Sequence, residues 1–116
     1  MQQLPPPPVP EKLREMLKDY PEHLRRLQEA LTDYVHKPFK LMPFDGATWA
    51  LEGRLEAFCL EADEEVKVAE AQGEGEEEIA RKKAKAKHMS RACWKQVWIG
   101  DEGLREYFSQ HKDAFQ

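Results

Sequence analysis

The chain has 116 residues, of which 41% are hydrophobic and 34% are charged, and its formal net charge is −4 at pH 7. This length fits one domain with a modest core, and the hydrophobic share excludes a disordered chain. The weak negative charge excludes a general attraction to nucleic acid or anionic membranes, and no stretch approaches the roughly 20 apolar residues of a membrane span.

The N-terminal segment, Met1 to Pro10, is half proline. A proline run favours polyproline II, which makes no internal hydrogen bonds. We expect residues 1–10 to form a flexible proline-rich tail before a single helical-bundle domain over residues 11–116. The alternative is a ligand for a proline-binding domain, but no basic residue precedes the run to orient it.

The same segment lacks the basic leader and the apolar centre of a signal peptide, so we expect a cytoplasmic protein. Two cysteines, Cys59 and Cys93, are too few for a secreted disulfide scaffold.

A first helical region is predicted from about Glu11 to His36. Pro21 interrupts it, because an internal proline removes a hydrogen bond and crowds the preceding turn. Either the helix kinks, or a short helix ends near Asp19 and a second helix begins with Pro21 in its first turn. The apolar residues, at steps of three and four, are Leu13, Leu17, Tyr20, Leu24, Leu27, Leu31 and Val35.

A second helix is predicted after a loop at Lys37–Pro43, and it should reach about Gln72. Asp45 is a suitable N-cap, and Phe44 with Trp49 fits a hydrophobic staple around that cap. The helix contains no proline, and its apolar residues recur with a mean step close to the helical period of about 3.6. They are Leu51, Leu55, Phe58, Ala62, Val66 and Ala69.

Glycines at Gly73 and Gly75 predict the end of the second helix. A third helix should then run from Glu76 to Ile99, with Gly100 as its stop, and Asp101 should cap a short last helix that ends near Ala114. The apolar face of the third helix holds Ile79, Ala86, Met89, Cys93 and Val97. The predicted fold is all-α: a long antiparallel, coiled-coil-like hairpin packed with the N-terminal helix as a three-helix bundle, plus a short C-terminal helix.

Charge divides sharply between the two arms of this hairpin. Glu52–Glu78 holds eleven acidic residues, whereas Arg81–Arg91 holds six basic residues and no acidic one. Folding at the glycines brings the two blocks side by side, with Glu65 near Lys85 and Glu61 near Lys87. The main interpretation is therefore mutual neutralisation, in which each exposed pair contributes about 0–1 kcal/mol.

The alternative interpretation is a nucleic-acid-binding face on the third helix. At about 100° per residue, five basic and aromatic residues fall within about an 80° arc. Such residues could contact phosphates and stack on unpaired bases. They are Lys83, Lys87, Arg91, Trp94 and Trp98.

Metal and cofactor chemistry finds little support in the sequence. Cys59 and Cys93 should lie within about one helical turn of each other across the hairpin, but core packing explains them best, ahead of a redox-sensitive disulfide or a zinc site. The histidines are scattered, and no catalytic triad, phosphate loop or HExxH motif is present. The scattered histidines are His23, His36, His88 and His111.

We therefore expect a non-enzymatic protein–protein interaction or assembly module without a cofactor. Its partner is expected to be a second copy of the chain or another protein, with nucleic acid as the less favoured partner and no membrane. The candidate self-interface holds Trp49 and Leu60, which face away from the apolar stripe of the second helix. Short, helix-rich chains without motifs are typical of small prophage-encoded proteins. The sequence contains no motif that resembles a named family.

Overall fold

The computed structural model of the chain describes residues 5–36 and 42–115. Within these ranges it contains no strand, and a 3₁₀ helix follows the last α-helix at Lys112–Phe115. The all-α fold is confirmed; the predicted loop at Lys37–Pro43 falls mostly outside the described residues. The α-helices are α1 (Glu11–Met16), α2 (Pro21–His36), α3 (Pro43–Ala71), α4 (Glu76–Ala92), α5 (Lys95–Trp98) and α6 (Glu102–Gln110).

The hairpin of α3 and α4 forms the long axis of the molecule. α3 has 29 residues, which corresponds to about 43 Å of helix. It ends where Gly73 adopts a φ of 71°, a left-handed conformation that glycine tolerates best. The N–H of Glu74 then donates to the carbonyl of Ala69 over 3.0 Å, which satisfies a carbonyl at the helix end. The predicted glycine stop and the antiparallel hairpin are confirmed.

The core lies between the inner face of α3 and the helices on either side of it. On α3, Leu51, Leu55 and Phe58 are 0–1% exposed. They pack in one cluster with residues of α2 and α4, the two helices that α3 contacts most. The α2 and α4 residues of this cluster that are buried are Leu27, Leu31, Val35, Met89 and Ala92. The expected packing of the first helical region against the hairpin is therefore present.

The first helical region is divided at Pro21. α1 ends at Met16 and α2 begins at Pro21 itself, where a missing backbone N–H costs nothing. Leu13 and Leu17 remain fully buried, so the apolar face crosses the break. Of the two predicted alternatives, the structure has the two separate helices.

The predicted start of α3 is wrong. The helix begins at Pro43, with Met42 at the N-cap position, so Asp45 lies within the first turn instead of capping it. Its carboxylate there still faces the positive end of the helix dipole. The predicted staple does not form either: Phe44 packs edge-on against Phe108 with ring centroids 6.4 Å apart, and Trp49 is 62% exposed.

The third helix ends earlier than predicted, at Ala92 instead of Ile99. Trp94 adopts an extended backbone (φ −72°, ψ 105°), and the short α5 then changes the direction of the chain. This break allows Trp98 to enter the core at 2% exposure, where its indole N–H donates to the carbonyl of Ala92 over 3.0 Å. Asp101 caps α6 as predicted and accepts from the N–H of Leu104 over 2.8 Å.

Residues 5–10, which belong to the expected proline-rich tail, pack against the bundle. Pro7 and Val9 are buried. The Tyr107 hydroxyl donates to the carbonyl of Pro5 over 2.6 Å, and the Gln28 amide donates to the carbonyl of Pro7 over 2.8 Å. These two carbonyls have no hydrogen-bond donor within a helix, and the side chains of Tyr107 and Gln28 provide one to each. The division of the chain at residue 10 stays a prediction.

Two leucines on α3 provide a matched test of this core. Leu55 is 0% exposed and Leu60 is 71% exposed. Truncating a buried leucine leaves a cavity, so we expect Leu55→Ala to lower the free energy of unfolding by about 2–5 kcal/mol. Leu60→Ala should change it by less than about 0.5 kcal/mol.

Urea denaturation followed by circular dichroism measures both variants under the same conditions, at a protein concentration low enough to avoid association. Equal losses from the two substitutions would contradict the assignment of the inner and outer faces of α3.

Candidate interaction surface

The outward face of α3 carries two large apolar side chains that the bundle leaves in solvent. Trp49 is 62% exposed and Leu60 is 71% exposed. They are eleven positions apart, which is about three helical turns plus 20°, so they share one face about 16 Å apart along the axis. The predicted orientation of both residues away from the core is confirmed.

Three further residues complete this surface, which we call the outer face. Val68, 41% exposed, continues it beyond Leu60. Gly53 is exposed, and a Cβ atom added there would meet nothing within 4 Å. Ala57 is half-buried. At about 100° per residue, all five positions fall within about a 100° arc. Two small residues, Gly53 and Ala57, lie between Trp49 and Leu60. We define the outer face as Trp49, Gly53, Ala57, Leu60 and Val68; the exposed charged residues Glu64 and Lys67 lie in the same arc.

Sequence reasoning missed Val68 as part of this surface. A usable signal was present, because Val66 and Val68 are two positions apart and therefore point about 200° from each other on a helix. Val66 belongs to the apolar stripe of α3 and is partly buried. A valine two positions away must then lie on the opposite side, with Leu60.

The predicted basic and aromatic face of the third helix does not assemble as one surface. Trp98 is buried in the core, because the chain leaves its helical path at Trp94. Trp94 itself is 67% exposed. The prediction assumed a continuous helix through both tryptophans, but α4 ends at Ala92, two residues before Trp94.

The basic residues of that face differ in their partners. The Lys83 ammonium lies 3.8 Å from a Glu70 carboxylate oxygen. Lys87 and Arg91 are exposed, and neither makes an ion pair with any residue in the described ranges. The surface that remains from the prediction is thus Lys87, Arg91 and Trp94.

Ion pairs between acidic and basic residues are present across the hairpin, but some acidic residues pair with other partners than predicted. Lys85 lies 3.1 Å from Glu65, as predicted. Glu61 pairs with Arg26 of α2 over 2.6 Å and not with Lys87, because α2 packs beside this part of α3. Hydrogen bonds from the Arg26 guanidinium lower the pKa of the Glu61 carboxyl. The acidic block of α3 is therefore shared between α2 and α4.

His23 of α2 belongs to the same junction. Its ring packs edge-on against Phe58 with centroids 4.5 Å apart, and the Arg26 guanidinium stacks on that phenyl ring at 4.7 Å. Burial lowers the pKa of His23, and the positive charges of Lys85 and Arg26 lower it further. These contacts give His23 a packing role at the junction of α2 and α3.

Neither metal ligation nor membrane insertion has a candidate in the described part of the chain. No group of three or more His, Cys, Asp or Glu residues there could hold a metal ion. None of the helices described is both long enough and apolar enough to cross a bilayer. Cys59 and Cys93 are free thiols that face each other between α3 and the end of α4.

Comparison of the chain with models of protein families, with curated proteins and with solved structures finds no match.

Proposed function

We propose that this chain is a non-enzymatic protein–protein interaction and assembly module of the cytoplasm, and that it forms a homodimer through the outer face of α3. The observation that carries the proposal is the exposure of Trp49 and Leu60 on one side of a long, well-supported helix. Tryptophan is enriched among the residues that dominate binding energy at interfaces. A rigid helix also loses little conformational entropy when it docks.

The positions of the large and small residues on the outer face support a second copy as the partner. In an antiparallel pair of α3 helices centred between positions 58 and 59, Trp49 of one copy lies opposite Val68 of the other. Ala57 lies opposite Leu60 in the same register, and Gly53, where an added Cβ would meet nothing within 4 Å, lies opposite the exposed Glu64. One patch thus complements itself around a two-fold axis, as a closed dimer requires.

The test is the mass in solution, measured by light scattering after gel filtration over a series of concentrations. The wild-type chain should approach twice its 13.6 kDa mass. The double variant Trp49→Ala/Leu60→Ala should remain a monomer, because interface hot spots contribute about 2 kcal/mol or more each. Its dissociation constant should therefore rise by on the order of 100-fold or more.

Trp94→Ala is the matched control, since Trp94 is as exposed as Trp49 but lies outside α3. It should dimerise like the wild-type chain. A monomeric wild-type chain at every concentration would contradict the proposal, and so would a dimer that persists in the double variant.

A second candidate function is nucleic-acid binding, and the observation that favours it is the group of Lys87, Arg91 and Trp94. All three are exposed, and the two basic residues lack ion pairs among the described residues. Basic residues beside an exposed aromatic side chain suit a single strand, through phosphate contacts and base stacking.

This second function predicts salt-sensitive binding to a fluorescently labelled single-stranded oligonucleotide. Lys87→Glu/Arg91→Glu should abolish binding, and the wild-type affinity should fall steeply as salt rises. Lys18→Glu/Lys112→Glu is the matched control, because it makes the same change in net charge at exposed positions elsewhere. Equal binding by the Lys87/Arg91 variant and the wild-type chain would refute this function.

A further inference from the structure

The two cysteines form a closely spaced dithiol where the end of α4 meets α3. The Sγ atoms of Cys59 and Cys93 lie 2.7 Å apart. The Cys93 thiol also donates to the carbonyl of Leu55 over 3.2 Å. Both residues are half-buried, so neither thiol is freely exposed to other protein molecules.

The surrounding structure holds the two thiols together from both sides. Before Cys93, Met89 is fully buried, and the Cys93 N–H donates to its carbonyl over 3.1 Å. After Cys93, the Lys95 ammonium lies 3.2 Å from Glu52 of α3. Since a disulfide requires an S–S separation of about 2.05 Å, a small adjustment of the two side chains suffices to bond them.

We propose that Cys59 and Cys93 are a reversible oxidation site, at which a low-molecular-weight disulfide such as oxidised glutathione converts the two thiols into one intramolecular disulfide. The proposal does not depend on dimer formation by the outer face.

The reaction balances in two exchange steps. The Cys59 thiolate attacks one sulfur of the glutathione disulfide, which forms a mixed disulfide and expels one glutathione thiolate. Cys93 then loses its proton and attacks the Cys59 sulfur, which expels the second glutathione. Two electrons pass from the protein thiols to the glutathione disulfide, and two reduced glutathione molecules carry the protons.

The environment of Cys93 sets the order of these steps. Burial, the hydrogen bond with Cys59 and the neighbouring charges raise the pKa of Cys93 to about 12. Cys93 therefore remains a thiol at neutral pH, whereas the thiolate is the nucleophilic form. The hydrogen bond that Cys93 donates to the carbonyl of Leu55 also holds its proton in place. We therefore assign Cys59 as the attacking residue and Cys93 as the residue that resolves the mixed disulfide within the same chain.

The bond would join the two arms of the hairpin at the end away from the Gly73 turn. It closes a loop that runs from Cys59 along α3, through the turn and back along α4 to Cys93. A cross-link of this kind restricts the unfolded chain. It also fixes Trp94, the next residue, beside α3.

The test oxidises the reduced full-length chain with oxidised glutathione, alkylates the remaining thiols and measures the intact mass. We expect both thiols to disappear, with a mass lower by two hydrogen atoms and no glutathione adduct. Tryptic digestion should then yield peptide 55–67 linked to peptide 92–95, and dithiothreitol should restore both thiols.

Two serine variants test the assigned order. Cys93→Ser should stop at a stable glutathione adduct on Cys59. Cys59→Ser should react at least about tenfold more slowly, since its remaining thiol at Cys93 is half-buried and donates to the carbonyl of Leu55. Equal rates in the two variants would overturn the order.

Three results would overturn the site itself. They are a persistent glutathione adduct on the wild-type chain, a disulfide between two chains in place of the internal one, and unreacted thiols under conditions that oxidise the urea-unfolded chain. Circular dichroism of each variant establishes that the comparison is made on folded protein.

Discussion

The burial of one face of α3 between α2 and α4 is the interaction on which the rest of the structure depends. Leu51, Leu55 and Phe58 are almost completely removed from solvent, and each such side chain contributes about 1.5–3 kcal/mol. A two-helix hairpin alone could not cover them, because each helix would leave part of its apolar stripe in water. Packing of α2 on the second side of α3 solves this problem and defines the three-helix arrangement.

This constraint also creates the outer face. Helices pack on the inner side of α3, so the residues on its opposite side remain in solvent along the length of the helix. Charged side chains are the ordinary choice there, and Glu64 and Lys67 are such residues, yet Trp49, Leu60 and Val68 are exposed beside them. The same helix thus supplies the core with one face and, in our proposal, a partner with the other.

The elements that depend on local chemistry could be predicted from the sequence. The stop at Gly73 follows from backbone conformation, and the break at Pro21 follows from the missing N–H. The inner stripe of α3 follows from its periodicity. For the candidate site, the same periodicity correctly placed Trp49 and Leu60 on the exposed side. Their role in association stays a proposal.

The elements that depend on tertiary contacts could not be predicted in this way. No proline or glycine marks the end of α4 at Ala92; the break serves the burial of Trp98, whose indole finds its acceptor on that residue. Likewise, nothing local indicates that Tyr107 and Gln28 hold the proline segment, since these residues are far from it in sequence. The predicted basic and aromatic face of the third helix failed because α4 ends at Ala92 and Trp98 is buried.

The most direct test of the central claim, that one face of α3 is buried and the other is kept for a partner, is fluorine NMR of the fluorotryptophan-labelled chain with a dissolved paramagnetic probe. At low concentration, we expect the probe to broaden the resonances of Trp49 and Trp94 and to spare that of buried Trp98. As the concentration rises, Trp49 alone should become protected. A Trp49 resonance that stays as accessible as that of Trp94 at every concentration, or a Trp98 resonance that broadens with the others, would contradict the account.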